Sequence, residues 1–247
     1  MIPPDIRNDS SVRGFLEHFE DEILMHILSR AQFAANPEVY KRGYNGNRYM
    51  SLLDKMLLVL ERDFSTFGRY KDPIERPFNV GLPPPEDERV IEHPDIHLAN
   101  YDSVNVTRHV MEEYLKLVPS ICPAGDNIMY YGSSAEHDIP VLMTVSQRVH
   151  SGIYVAEWKR FKKPEKFDRL IAKRERKSLL EAITESAVED DVLQRVNKKA
   201  IAWQSEINPE VRTIVPFEVI VNFYKDAIIP LTKEVQVRYF LNRVGIG

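Results

Sequence analysis

Apolar residues that recur at three- and four-residue steps through most of the chain restrict it to an architecture of packed helices. From Ser10 onward, Val12, Leu16, Phe19, Ile23 and Ile27 follow that period and predict a long amphipathic helix with a serine at its start. A second helical pattern runs from about Met50 to Phe67. Its Leu52, Leu53, Met56, Leu57 and Leu60 are dense enough to imply deep burial, and it stops near Gly68. Further helical stretches are expected at 104–118, 138–161, 165–174, 176–206 with an interruption, and 216–244. Strand-like alternation is scarce. With only 10 glycines, and neither a GxGxxG nor a GxxxxGK[ST] spacing, the chain does not fit a parallel sheet with phosphate-binding turns. The fold class read from this pattern is all-α.

Between Asp72 and Asp95 lie Pro73, Pro77, Pro83, Pro84, Pro85 and Pro94 among charged residues. That composition blocks helix interiors and sheet ladders alike, and predicts an extended connector over about 72–95. The net charge of −4, from 37 acidic and 33 basic residues, argues against a general binder of nucleic acid or anionic membrane, so an anionic ligand needs a local cluster of cations. No apolar run reaches the ~20 residues that span a bilayer. Met1–Gly14 carries Pro3, Pro4, Asp5 and Asn8 where a signal peptide would be apolar. The single cysteine, Cys122, rules out an intrachain disulfide framework and a multi-cysteine zinc site, and suits a reducing compartment, by default the cytosol.

The polar residues that stand on helical faces carry no single specific spacing. Arg148 and Lys159 are eleven positions apart, close to three helical turns, and share one face bordered by Val145, Val149, Ile153 and Ala156. By themselves they read as solvated surface, with one or both pointing partly inward as the alternative. Glu185 and Glu189 stack on one side of a continuous helix, but Ser186-x-x-Glu189 is also a capping box that would open a new one. Thr232 and Gln236 form an i, i+4 pair beside the apolar line of Leu231, Val235 and Tyr239, and Arg13 on its own reads as surface. None of the seven histidines makes an HExxH or a metal-spaced cluster, and His150 reads as a polar-tipped core residue. Cys122, in Ile-Cys-Pro-Ala, has no histidine near it in sequence, so neither metal nor nucleophilic chemistry is indicated.

Taken in order, several segments together resemble the all-helical chorismate mutases of fungi and plants. They are Arg30-Ala-Gln-Phe-Ala-Ala-Asn-Pro-Glu-Val-Tyr40, Gly68-Arg-Tyr-Lys-Asp-Pro73, Tyr131-Gly-Ser133, Ser146-Gln-Arg-Val-His150 with Tyr154-Val-Ala-Glu157, Ser186-Ala-Val-Glu189 and Ile229-Pro-Leu-Thr-Lys-Glu-Val-Gln-Val237. The resemblance covers nearly the whole chain, so residues 1–247 read as a single domain. It implies a homodimer with one active site per subunit inside a helical bundle, and a cofactor-free rearrangement of chorismate to prephenate. By the same resemblance Arg13 and Arg148 hold the two carboxylates, and Lys159 reaches a carboxylate and the ether oxygen. Glu189, with Glu185 beside it, holds the ring hydroxyl, Thr232 assists with the ring carboxylate, and Gln236 donates to the ether oxygen. The residue types suit the chemistry. Two guanidiniums orient a dianion, and fixed donors at the ether oxygen stabilise charge that develops only as the C–O bond breaks.

The sequence departs from the family at defined points. Some members carry a glutamate where this chain has Gln236, and an amide donates without needing a proton. Glu185 stands where fungal relatives often have asparagine. For the aromatic amino acid effectors of the regulated members, Arg69, Gly132 and Ser133 match the family's site, but Gly68 replaces a second arginine, and Tyr130 and Glu136 replace small polar residues. Tyrosine inhibition and tryptophan activation are left open by this pattern, and Gly132 with Ser133 or Ser134 also reads as a plain helix start. The rival readings are a helical interaction protein that kept the fold and lost the chemistry, and a pyruvate lyase acting on isochorismate. The first predicts broken site positions, whereas Arg13, Arg148, Lys159, Glu189, Thr232 and Gln236 all persist.

Overall fold

Asn8, not a serine, opens the first helix. Its side-chain Oδ1 accepts from the backbone amides of Ser10 at 3.0 Å and Ser11 at 3.4 Å, satisfying donors that a helix leaves orphaned at its start. The helix α1 then runs over Asp9–Arg30 and buries Phe19, Ile23, Leu24 and Ile27 completely, each such side chain worth about 1.5–3 kcal/mol of hydrophobic free energy. The computed structural model describes residues 2–46, 48–86, 93 and 95–245. Among them are nine further helices: α2 (Leu52–Thr66), α3 (Thr107–Ile121), α4 (Tyr131–His150), α5 (Gly152–Lys162), α6 (Pro164–Lys173), α7 (Arg176–Ile183), α8 (Ser186–Gln204), α9 (Phe217–Phe223) and α10 (Ile229–Asn242). No strand occurs among the described residues, only an isolated antiparallel bridge between Leu98 and Arg243. The all-α expectation holds.

The helix boundaries follow local chemistry. A capping box of Ser51 and Asp54 starts α2, and Gly68, at φ +81°, ends its last turn in the left-handed conformation that glycine adopts without steric cost. The helix expected at 138–161 is two helices, and the first of them begins earlier, at Tyr131. The hydroxyl of Ser151 donates back to the Gln147 carbonyl at 2.7 Å, and the ladder loosens to an i, i+3 bond from the Tyr154 amide to the Ser151 carbonyl at 3.1 Å. The stretch expected at 216–244 is likewise divided, by a π turn over Tyr224–Ile228. Pro230, at the second position of α10, has no amide to offer the regular ladder, and the wider turn absorbs that missing bond.

Two capping expectations are corrected. Ser186 is already the first residue of α8, and the residue before it, Glu185, makes no side-chain cap, so the Ser186/Glu189 capping box does not form. Nor do Ser133 or Ser134 cap α4. That helix follows Tyr130 without a side-chain cap, and Ser134 is buried, accepting from Asn36 Nδ2 at 2.8 Å. The interruption expected within 176–206 falls at Thr184 and Glu185, both extended.

In the core, α1 lies along α4, α10 packs on α5 and α7, and α8 packs on α9 and α1. His150 is fully buried as expected, its Nε2 accepting from the Val106 amide at 3.1 Å. The proline-rich connector is irregular over 72–86 and is tied to α2, where buried Glu61 accepts from the amides of Phe78 at 2.6 Å and Asn79 at 2.9 Å. Residues 87–92 and 94 of that connector lie outside the described residues.

Candidate active site

Four helices each turn one stripe of residues toward a common cavity of about 190 Å³. From α1 come Asp9, Val12, Arg13 and Leu16, and from α10 come Ile229, Thr232, Lys233 and Gln236, both at the i, i+3, i+4, i+7 spacing of a single helical face. From α5 come Val155, Trp158 and Lys159, and α8 contributes Val188, Glu189, Asp191, Val192 and Arg195, with Glu185 at its start. The last turn of α4 adds Arg148. All seven residues assigned to substrate by the resemblance, Arg13, Arg148, Lys159, Glu185, Glu189, Thr232 and Gln236, therefore line one space. Arg148 and Lys159 reach the same cavity although the helix is interrupted between them at Ser151.

Arg148 is the most deeply placed cation. It is 4 % exposed, its Nη1 lies 3.4 Å from Thr232 Oγ1, and its Nε has no hydrogen-bond partner. Burial pulls its pKa down from the ordinary arginine value, since the low-dielectric surroundings penalise the charged form, but a guanidinium keeps its proton across the physiological range. Among the described residues no carboxylate pairs with Arg148 or with Arg13, which sits at the exposed rim.

The other cavity cations are engaged. The ammonium of Lys159, 12 % exposed, lies 3.0 Å from Glu185 Oε1 and donates to the Ile183 carbonyl. Burial pushes the Lys159 pKa down, and Glu185 and Glu189 act in the opposite sense. Lys233 donates to both oxygens of Glu189, at 2.9 and 3.1 Å. Arg195 makes a two-pronged bond to fully buried Glu20, at 2.8 and 2.6 Å. At the mouth, Trp158 Nε1 donates to Asp9 Oδ1 at 3.0 Å, and Lys162 pairs with the same oxygen at 2.6 Å.

On α10, Thr232 donates its hydroxyl to the Ile228 carbonyl at 2.7 Å. Gln236, 4 % exposed, gives one Nε2 hydrogen to the Thr232 carbonyl across a long 3.3 Å, and its Oε1 has no partner. A primary amide carries two such hydrogens, so one is left for a ligand. No group of three or more potential metal-ligating side chains occurs among the described residues.

No family model matches the sequence. The chorismate mutase of Schizosaccharomyces pombe is 34% identical over 242 residues, covering 95% of both chains. The chain belongs to the chorismate mutase family. As a member it is an isomerase that converts chorismate to prephenate. Among solved structures, the Candida albicans chorismate mutase in complex with L-Trp superposes with a TM-score of 0.89 at 33% identity, covering 99% of this chain and 95% of that one. AtCM1 with tyrosine bound in its allosteric site superposes at 0.83 with 32% identity, covering 96% of this chain and 98% of that one.

Arg69, Gly132 and Ser133, expected together at an effector site, are not brought together within this chain. Arg69 bonds Glu75 at 2.9 Å and its guanidinium lies over the Phe64 ring. The other oxygen of Glu75 accepts from Gln147, roughly 22 Å along α4 from Gly132 at the helical rise per residue. Sequence reasoning missed Asp9, Trp158, Arg195 and Lys233 in the cavity wall. The signal for two of them was available: Lys233 lies on the face of Ile229, Thr232 and Gln236, and Arg195 follows Val188 and Val192 at helical steps.

Proposed function

We propose that the rearrangement of chorismate takes place in this cavity, with Arg13 and Arg148 on the substrate's two carboxylates. The observation that carries the reading is that these are the two cavity guanidiniums without a carboxylate of their own among the described residues. A dianion completes that charge pattern, and bidentate guanidinium contacts fix its compact conformer. Lys159 and Gln236 then face the ether oxygen. Negative charge grows there as the C–O bond lengthens, so their hydrogen bonds strengthen toward the transition state. Glu189, held by Lys233, accepts from the ring hydroxyl, and Thr232 assists at the ring carboxylate beside Arg148. The reaction transfers no electrons and forms no covalent enzyme intermediate, so no cofactor takes part.

The same reading makes the chain a homodimer regulated by aromatic amino acids. Arg69 of one copy faces Gly132 and Ser133 of the other, and the exposed Val59, Leu60 and Phe67 of α2 and its end provide an apolar face beside Arg69. Tyrosine and tryptophan are the effectors this reading assigns, since relatives are crystallised with these amino acids bound. The whole chain acts as one domain, and its single buried thiol is compatible with the cytosol.

The test is chorismate loss followed by absorbance with wild type and Lys159→Ala, each with and without tyrosine and tryptophan. The variant is expected to lose ~100- to 1000-fold in rate, the usual cost of removing one donor to a developing oxyanion. A Lys159→Ala rate within a few-fold of wild type would sink the electrostatic role, and a rate indifferent to both amino acids would sink the regulatory one.

A further inference from the structure

The junction between α7 and α8 brackets Lys159. The Ile183 carbonyl at the end of α7 and the Glu185 carboxylate just before α8 both take hydrogens from its ammonium, the latter across 3.0 Å. An ammonium has three hydrogens, so two directed at the junction leave one for the cavity, and the direction of that one is set by the other two. Glu185 was expected beside Glu189 at the ring hydroxyl. In this structure the two carboxylates have separate partners: Glu189 is held by Lys233, and Glu185 by Lys159. The break at Thr184 and Glu185 explains the divergence, since extended backbone there removes the continuous helical face that would have stacked the pair.

We infer that Glu185 is a positioning residue for Lys159, aiming its ammonium into the cavity and keeping it charged, and not a contact for the substrate hydroxyl. This inference rests on the reading that Lys159 faces the ether oxygen. A lysine removed from water loses part of its affinity for the proton, and a carboxylate at 3.0 Å restores part of it. The charges around Lys159 are Glu185 just before α8, Glu189 on α8 and Lys166 on α6, and the same cavity is lined by Asp9 and Arg13 of α1, Arg148 of α4, Asp191 and Arg195 of α8 and Lys233 of α10. Glu189 is paired with Lys233 and Asp9 with Lys162 and Trp158. Among the described residues Glu185 is the one acid within ion-pair distance of the Lys159 ammonium.

The consequence is a movable alkaline limit to activity. Deprotonation removes the Lys159 charge and the third hydrogen, the one left for the cavity, so kcat/KM falls as pH rises through its pKa. Glu185→Gln removes the carboxylate charge and keeps the shape, so that limit should move toward neutral pH by about one unit. This is the low end of the usual effect of a neighbouring charge, because the Glu185 side chain is 49 % exposed and screened by water. Glu185→Asp, which keeps the charge, should hold the limit nearer wild type.

The experiment is the kcat/KM profile from pH 6 to 10.5 for wild type, Glu185→Gln and Glu185→Asp. An acidward move of the limit in the glutamine variant, partly rescued in the aspartate one, supports the inference. An unmoved limit with a raised KM returns Glu185 to the hydroxyl, and a glutamine variant inactive at every pH gives it a larger task than positioning; either result overturns the inference while leaving the Lys159 reading intact. That reading fails separately, if Lys159→Ala retains wild-type turnover.

Discussion

At Gln236 one side chain decides the pH response of the site. An amide donates a hydrogen bond at any pH, so activity should be flat between about pH 5 and 8, where neither Gln236 nor a guanidinium titrates. Gln236→Glu changes that. A glutamate donates to the ether oxygen only while protonated, and once ionised it places a negative charge against an oxygen that is becoming negative. Activity of the variant should therefore be highest at acid pH and fall up to tenfold per unit above the pKa of the new carboxyl. A kcat/KM profile from pH 4.5 to 8 checks it, and a flat profile for the variant would remove Gln236 from the ether oxygen. The residues of this site were readable singly only as alternatives, such as an inward or solvated Arg148 and a stacked or capping Glu189. Their order along the chain made them a pattern. Pairings such as Lys233 with Glu189 and Lys159 with Glu185 were not readable, because they depend on how α5, α8 and α10 are set against one another.

Helical elements were legible almost throughout, because the apolar period is a local property of the sequence. Their breaks were less so. An interruption within 176–206 was expected without a place for it, whereas the one at Ser151 was not expected, since the apolar line Val145, Val149, Ile153, Ala156 runs straight across it. A tertiary contact lies at that break. A Cβ placed on Gly152 would lie 2.7 Å from the Thr232 carbonyl oxygen and 3.3 Å from its Cγ2, so α10 crosses the start of α5 at a distance only glycine permits. The carbonyl in question also accepts from Gln236, which links this crossing to the cavity. Gly152→Ala should push α10 outward and displace Thr232 and Gln236 together. Overpacking of this kind typically costs about 1–3 kcal/mol. A lowered urea midpoint accompanied by a kcat/KM reduced about tenfold or more is expected, and a variant equal to wild type in both would show that the crossing has slack.

The stability of the whole molecule carries a pH dependence that the active site does not share. His150 lies in the core where α4 meets the segment leading into α3, with Nδ1 against the Ser146 carbonyl at 2.8 Å and Nε2 accepting from the Val106 amide. That bonding requires the neutral ring. Burial, with Arg76 and Arg238 adding to it, pushes the His150 pKa down to about 3. In the unfolded chain the same ring titrates near 6.5, so below that pH the unfolded state binds a proton that the folded state refuses. The stabilisation is thus complete above about pH 6.5 and is lost as pH falls from there toward 3. At ~1.4 kcal/mol per unit, roughly 2 kcal/mol is gone by pH 5. His150→Gln has no ring to protonate. It should be less stable than wild type at pH 7, where a buried hydrogen-bond pair is disturbed, yet should lose less stability between pH 7 and 5. Urea denaturation of both proteins at those two pH values measures the difference in slope. Equal losses would mean that the acid sensitivity of the fold resides in its carboxylates and not in this histidine.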